Sequence, residues 1–346
     1  MRGPHYLTST RSSRREAIVR RRRHIRLQRT LLALALVVAI GAITWVAAHN
    51  GQSTGSRTHH EVALAATPPS VAQLANGPVG ADSTTQPLTL RLSNPRDPVH
   101  IAFHQPPRGG LLFDLDTGQV LWRRDPQRIL PIASLTKMMT ALLVVEHTQP
   151  HDRALITPQA VHFQGSGVGL LPKGRHIAVE TLLNGLLLPS GNDAAIALAQ
   201  HVSGTQKAFI TAMNAKAQEL GLSCTHYTSP SGYYDAGNHS CAVDLAALAR
   251  ADLDEPRLAR IVRRRRAVEP FPIKGGKLYL YNNNPLFRLG YPGLTGLKTG
   301  YTEKAGLCLV ATATRHGRRL GVVLLHSPNP GDQAMKLLNR GFELPS

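Results

Sequence analysis

Residues 131–146 read PIASLTKMMTALLVVE, and how this stretch is read decides the rest of the chain. Directly after Pro131, apolar side chains recur at helical spacing. Positions three apart on a helix share a face, so the Lys137 amine reaches the Ser134 hydroxyl. A serine in the first helical turn also lies beside unpaired backbone N–H groups and the positive end of the helix dipole. Both suit an oxyanion forming at an attacked carbonyl. Alone, the pair says little: Ser-x-x-Lys is expected about once in a chain of this length, as a capping serine and a solvated lysine. Here, however, the lysine stands among Met138, Met139 and Leu142, odd company for a solvated charge.

Further along, LPSGND at 188–193 lies between two apolar helical runs and offers a hydroxyl, Ser190, and an amide, Asn192. Such a turn can be a helix cap and nothing else. A third piece, GLKTGYT at 296–302, leads toward late strand patterns, and its Gly300 would let a substrate backbone approach a strand edge closely. Each piece has a bland reading by itself. In this order they form the Ser-x-x-Lys, Ser-x-Asn, Lys-Thr-Gly series of penicillin-binding proteins and class A β-lactamases.

With PIASLTKMMTALLVVE, LLLPSGNDAA, MNAKAQELGL and GLKTGYT in hand, the chain resembles the D-alanyl-D-alanine carboxypeptidases among the low-molecular-weight penicillin-binding proteins, from about Gly109 to Phe342. The resemblance implies roles. Ser134 is the acyl-accepting nucleophile. Lys137, kept neutral by burial and by the Lys298 charge, is its base. Ser190 relays a proton to the leaving amine and Asn192 positions the substrate. Lys298 and Thr299 hold the terminal carboxylate, with Gly300 and Tyr301 completing that side. The backbone N–H groups of Ser134 and Tyr301 form the oxyanion hole. The substrates implied are peptidoglycan stem peptides, with β-lactams as covalent inhibitors mimicking their terminal dipeptide, and no cofactor is called for.

The resemblance implies an α+β fold of the β-lactamase/transpeptidase type: an antiparallel sheet with terminal helices and an inserted all-helical lobe. The coarse pattern agrees. GGLLFDLDTGQVLWRRD at 109–125 reads as a hairpin turning at Asp116-Thr117-Gly118, helical patterns run from Ala133 to about Val262, and AGLCLVATAT and RLGVVLLHS read as late strands before a final helix. The chain ends 46 residues after Gly300, so the additional C-terminal β domain of many such carboxypeptidases is expected to be missing, as in the related D,D-endopeptidases.

Rivals fit less well. A class A β-lactamase needs a Glu on a loop past the second motif to activate the deacylating water, and Cys224 to Asp254 contains none. A non-catalytic wall-binding protein would not require Ser134, Lys137 and Lys298 together.

The formal charge of +19 is unevenly spread: the first 29 residues hold ten Arg against one Glu. They abut the uncharged run Leu31–Ala48, about 27 Å as a helix. That neighbourhood argues for a membrane and against nucleic acid, with the N-terminus inside and the remainder exported. An uncleaved anchor is preferred over a removable signal because the basic leader is very long, although Val46-Ala47-Ala48 would suit cleavage. The expected layout is a basic cytoplasmic leader at 1–29, an anchor or signal segment at 30–48, a Ser/Thr/Pro/Gly/Ala-rich spacer at 49–98 and a catalytic domain at 99–346. This places the enzyme in the bacterial inner membrane as a single-pass protein, its catalytic domain in the periplasm.

Three cysteines, with no CxxC and no HExxH, imply no metal. Cys308 reads as a core residue. Cys224 and Cys241 bracket a loop in an exported domain, and Cys241 stands where a helix begins and a capping hydroxyl would serve better. That makes a disulfide the natural hypothesis, against two separate thiols. Arg263–Arg266 form a second basic run, readable as a solvated face or as a contact for anionic polymer or headgroups.

Overall fold

GGLLFD at 109–114 has apolar residues for both faces of a sheet, and as strand β1 (Gly109–Asp114) it is buried throughout. The turn expected after it closes on Asp114, whose Oδ1 accepts from the backbone N–H groups of Asp116 and Thr117 and from the Thr117 hydroxyl. The chain returns as β2 (Val120–Arg124). The computed structural model describes residues 89–93, 96–169, 171–233, 236–272 and 275–345. The leader and anchor segment and most of the spacer lie outside them. Among the described residues no helix is long and apolar enough to cross a membrane. The end of the expected spacer joins the fold: Arg91 bridges to Gln119, and Leu90 and Leu92 pack against the core.

After β2 come β3 (Leu130–Pro131), a 3₁₀ turn (Ala133–Thr136) and helix α1 (Lys137–His147). The lobe continues with β4 (Arg153–Leu155), α2 (Pro158–Val161), β5 (His176–Ala178), α3 (Val179–Leu187), α4 (Asn192–Ser203) and α5 (Gln206–Glu219). It closes with β6 (His239–Ser240), α6 (Ala242–Asp254) and α7 (Pro256–Val262). A hairpin, β7 (Arg266–Pro270) and β8 (Lys277–Tyr281), and the short α8 (Pro285–Arg288) lead back to the sheet. There β9 (Leu294–Thr302), β10 (Gly306–Arg315) and β11 (Arg318–Ser327) precede the terminal α9 (Pro330–Glu343).

The five-stranded sheet runs β2-β1-β11-β10-β9, every neighbour antiparallel, so strands from both ends of the domain meet at β1–β11. Its faces divide by alternation. Leu111, Phe113, Val310 and Val323 turn to the helical lobe. Leu112, Leu309, Val322 and Leu324 turn to α9, whose Leu337 and Leu338 are fully buried, each burial contributing about 2 kcal/mol. The lobe is helical as expected, with one correction: it also contains the strand pairs β4–β5 and β3–β6. Strands of two or three residues are too short for a period of two to register.

Cys224 and Cys241 are joined by a disulfide, with Cα atoms 5.6 Å apart. Cys241 is the N-cap of α6 and makes no capping bond. Asp244 in the first turn ties the helix to the other cysteine's segment, its Oδ2 accepting from Cys224 N and the Thr225 hydroxyl at 2.7 Å each. The disulfide takes the sulfurs out of play as metal ligands, although with Asp244 they form a close group. It closes the loop that reaches the site described next, an enclosure worth about 3 kcal/mol in the chain-entropy picture. Cys308 is buried in β10, as read.

Candidate active site

β9 is an edge strand, and its outer side meets the 3₁₀ turn that carries Ser134. Gly300 makes that approach possible, because a Cβ there would stand 2.8 Å from Ile132 O and 3.1 Å from Ser134 N. This revises the sequence reading. The partner that Gly300 admits is first the nucleophile's own turn. Alternation along β9 sends Lys298, opposite Val310, toward the lobe, and puts Thr299, opposite Leu309, on the other face. Lys298 is accordingly buried, while Tyr301 is 63% exposed at the strand's end.

Lys137 is fully buried at the head of α1. Its Nζ lies 2.8 Å from Ser134 Oγ, 2.7 Å from Asn192 Oδ1 and 2.7 Å from the Ser231 carbonyl oxygen. The two oxygens of Asn192 and Ser231 can only accept. A neutral amine has two N–H groups to give them, and its lone pair is then left for the Ser134 hydroxyl. Burial, followed by the nearby Lys298 charge, holds the Lys137 pKa well below the ordinary lysine range. In its neutral form the amine is thus placed to accept from the Ser134 hydroxyl. Burial likewise pushes Lys298 down to about 7, its Nζ donating to the Thr299 carbonyl at 2.9 Å.

The amide of Asn192 is oriented from outside the motif. Its Nδ2 donates to Gln164 O at 2.5 Å and its backbone N–H to Ser166 O at 2.7 Å, which turns Oδ1 toward Lys137. Asp193 pins the same loop, its carboxylate accepting from Val168 N and Ala194 N. Burial raises the Asp193 pKa. Ser190 stands apart from the network: its buried Oγ has no hydrogen-bond partner, and its φ is +72°. Ala133, beside the nucleophile, has φ +47°. Left-handed backbone at two non-glycine residues costs on the order of 1–3 kcal/mol each and tends to gather where groups must be presented to a ligand.

Sequence reasoning missed the loop between the bridged cysteines. Its Ser231 supplies the carbonyl on Lys137, and Thr140 in α1 donates to Pro230 O at 2.7 Å. Gly232, at φ +71°, packs so tightly that a Cβ would collide with Ala133 O. Asn238 Nδ2 donates to the Thr136 hydroxyl, which donates in turn to Ala133 O. The only signal was the density of Ser, Pro and Gly in TSPSGYY, and a carbonyl acceptor leaves no mark on side-chain identity. All the expected motif residues except Ser190 and Tyr301 are linked through bonds, close packing or the electrostatic coupling of the two lysines, Thr299 only through its carbonyl on Lys298.

A family model described as D-alanyl-D-alanine carboxypeptidase matches residues 107–329. The chain is 34% identical over 245 residues to the carboxypeptidase DacF of Bacillus subtilis, covering 68% of this chain and 62% of that protein, less than two thirds of its length. It is 37% identical over 247 residues to DacB2 of Mycobacterium tuberculosis, covering 69% and 83%. A D-alanyl-D-alanine endopeptidase of Pseudomonas aeruginosa is 35% identical over 218 residues, covering 62% and 69%. A crystal structure of a D-alanyl-D-alanine carboxypeptidase from Mycobacterium tuberculosis H37Rv superposes with a TM-score of 0.67 at 35% identity, covering 72% of this chain and 97% of that one. Motif, site geometry, family match and fold thus agree, and the chain belongs to the D-alanyl-D-alanine carboxypeptidase family of serine peptidases, family S11.

Proposed function

We propose that this protein is a serine D,D-carboxypeptidase that removes the terminal D-Ala from peptidoglycan stem peptides. The observation that carries the proposal is the Lys137 amine, buried and boxed by two obligate acceptors at 2.7 Å with Ser134 Oγ at 2.8 Å. Lys137 takes the Ser134 proton as Oγ attacks the carbonyl of the penultimate D-Ala. The oxyanion is held by the backbone N–H groups of Ser134 and Tyr301. Collapse breaks the C–N bond, and the departing D-Ala amine receives a proton through the Ser190 hydroxyl. Water then cleaves the ester and frees Ser134. Lys298, whose side chain is turned to the lobe by alternation while Thr299 turns to the other face, draws in the terminal carboxylate that distinguishes this substrate from an internal peptide bond. β-Lactams enter as mimics of the terminal dipeptide and stay as a slowly hydrolysed acyl group. Digestion of purified muropeptides is expected to release free D-Ala and leave stem peptides shorter by one residue, read by mass. Products that instead arise only by opening of cross-links would replace this reading with the D,D-endopeptidase one, favoured by the relative of that name.

We further propose that residues 30–48 hold the enzyme at the outer face of the inner membrane, with residues 49–88 as spacer. The support is the Arg-rich leader followed by an 18-residue uncharged run. Native protein is expected to sediment with inner membranes and to keep its N-terminal peptides. A mature N-terminus near His49 would show cleavage instead.

A further inference from the structure

The hairpin β7–β8 packs one face on the core through Ala267, Leu278 and Leu280 and leaves the other bare. On a half-buried antiparallel pair the bare face is ordinarily polar. Here Tyr279 is 59% exposed, Tyr281 62% and Val268 48%. The register pairs Val268 with Tyr279, Arg266 with Tyr281 and Pro270 with Lys277, so all six share the outward face. The two tyrosines follow each other at roughly 7 Å along one strand.

The charged side chains of the outward face, Arg266 and Lys277, are both cations, and Arg263 and Arg265 lie just before β7 in the chain. Arg257 and Arg260 are paired with Glu180, and Arg264 with Glu269. Arg263, Arg265 and Arg266 are exposed and, like Lys277, enter no ion pair among the described residues. The chain that leaves this face is bonded to an element of the catalytic cleft. Directly after Tyr281, Asn282 donates through Nδ2 to Val262 O and Arg264 O, and its Oδ1 accepts from Asn284 N. Asn283 then bonds through its backbone N–H and its Nδ2 to Leu188 O and Pro189 O, on the turn that presents Ser190.

We propose that this face binds the glycan strand of the cell-wall polymer, an amino-sugar chain bearing acidic peptides, and so delivers attached peptides to the cleft. This rests on the proposed reading of the cleft. Tyrosine rings on a rigid strand offer flat apolar area at low entropic cost together with a hydroxyl at the wet edge. That combination matches the C–H-rich face and hydroxyl rim of a pyranose. The unpaired arginines complement the carboxylates of the peptides that hang from the strand. A bilayer surface is the competing partner. Against it, the face offers only two aliphatic side chains, Val268 and Pro270, and no Trp, Phe or Leu to insert.

The test uses the full chain in detergent micelles and three probes: glycan strands stripped of peptides by an amidase, intact sacculi, and vesicles of anionic phospholipid. Wild-type protein is expected to be retained by peptide-free glycan in a salt-insensitive way. The double variant Tyr279→Ala/Tyr281→Ala should lose roughly tenfold or more in affinity, while Tyr279→Trp/Tyr281→Trp keeps it. Retention on intact sacculi should weaken with added salt and with Arg263→Gln/Arg265→Gln/Arg266→Gln. Release of D-Ala from a short soluble peptide and labelling by a fluorescent penicillin should be unchanged in all these variants, showing an intact fold. Wild-type glycan retention by the alanine pair, or wild-type retention on vesicles but not on peptide-free glycan, overturns the inference. Glycan retention in a protein that releases no D-Ala would instead sink the reading of the cleft and leave this one standing.

Discussion

Ser134→Ala protein is expected to form no covalent complex with a fluorescent penicillin, and Lys137→Met protein to form it about four orders of magnitude more slowly than wild type. The two losses have different origins. The first removes the hydroxyl that, among the described residues, is bonded to the Lys137 amine. The second leaves that hydroxyl in place and removes the lone pair that would take its proton. Methionine nearly preserves the volume of a side chain that is fully buried and whose pKa burial already holds well below its ordinary value. Folding of the variant is checked by near-UV circular dichroism, so that slow acylation is not confused with unfolding. Labelling of Ser134→Ala at wild-type stoichiometry would show that the nucleophile lies elsewhere. A Lys137→Met enzyme acylated at the native rate would mean that Ser190, or a water, is the base.

Lys298→Ala is expected to lower the acylation rate by several orders of magnitude, since the proposed mechanism asks one amine both to meet the substrate carboxylate and to keep Lys137 neutral. The signs predict a bell-shaped profile for kcat/KM. On the acid side, activity rises as Lys137 sheds its proton, at a pKa far below that of an exposed lysine because of burial and the Lys298 charge. On the alkaline side it falls as Lys298 loses its own proton, near 7 in the free enzyme because of burial. A bound carboxylate favours the charged form of Lys298, so the alkaline limb of kcat should lie at higher pH than that of kcat/KM. Lys298→Arg, with a cation that does not titrate in this range, should retain part of the activity and lose the alkaline limb. A loss of only about twofold in Lys298→Ala, or a flat profile above pH 7, would contradict both roles.

Much of the site was legible in the chain because its chemistry depends on local spacing. Ser134 and Lys137 are three residues apart on what becomes the 3₁₀ turn and first turn of α1, and no distant residue is needed to bring them together. The β1–β2 hairpin, with its Asp114-stapled turn, and the apolar runs of β10 and β11 were equally readable, since a period of two over five or more residues survives any tertiary arrangement. The hairpin β7–β8 was not read, although KLYLY at 277–281 alternates cleanly, because Pro270 and Pro272 interrupt the pattern beside it.

By itself, then, the sequence determined the order of the three motifs, the sheet assembled from both ends of the domain and the two cysteines available to close a loop. Tertiary structure alone decided which way those residues act. It placed Ser231 O, from a loop 94 residues away, and Asn192 Oδ1, from the head of a helix 55 residues away, on the Lys137 amine. It brought the backbone of β9 against the Ser134 turn at Gly300, and it left two tyrosines facing solvent on a strand whose other face is core. The physical reason is that the protonation state of a lysine depends on desolvation and on nearby charge. Both are sums over everything that surrounds the amine, and neither is a property of its neighbours in the chain.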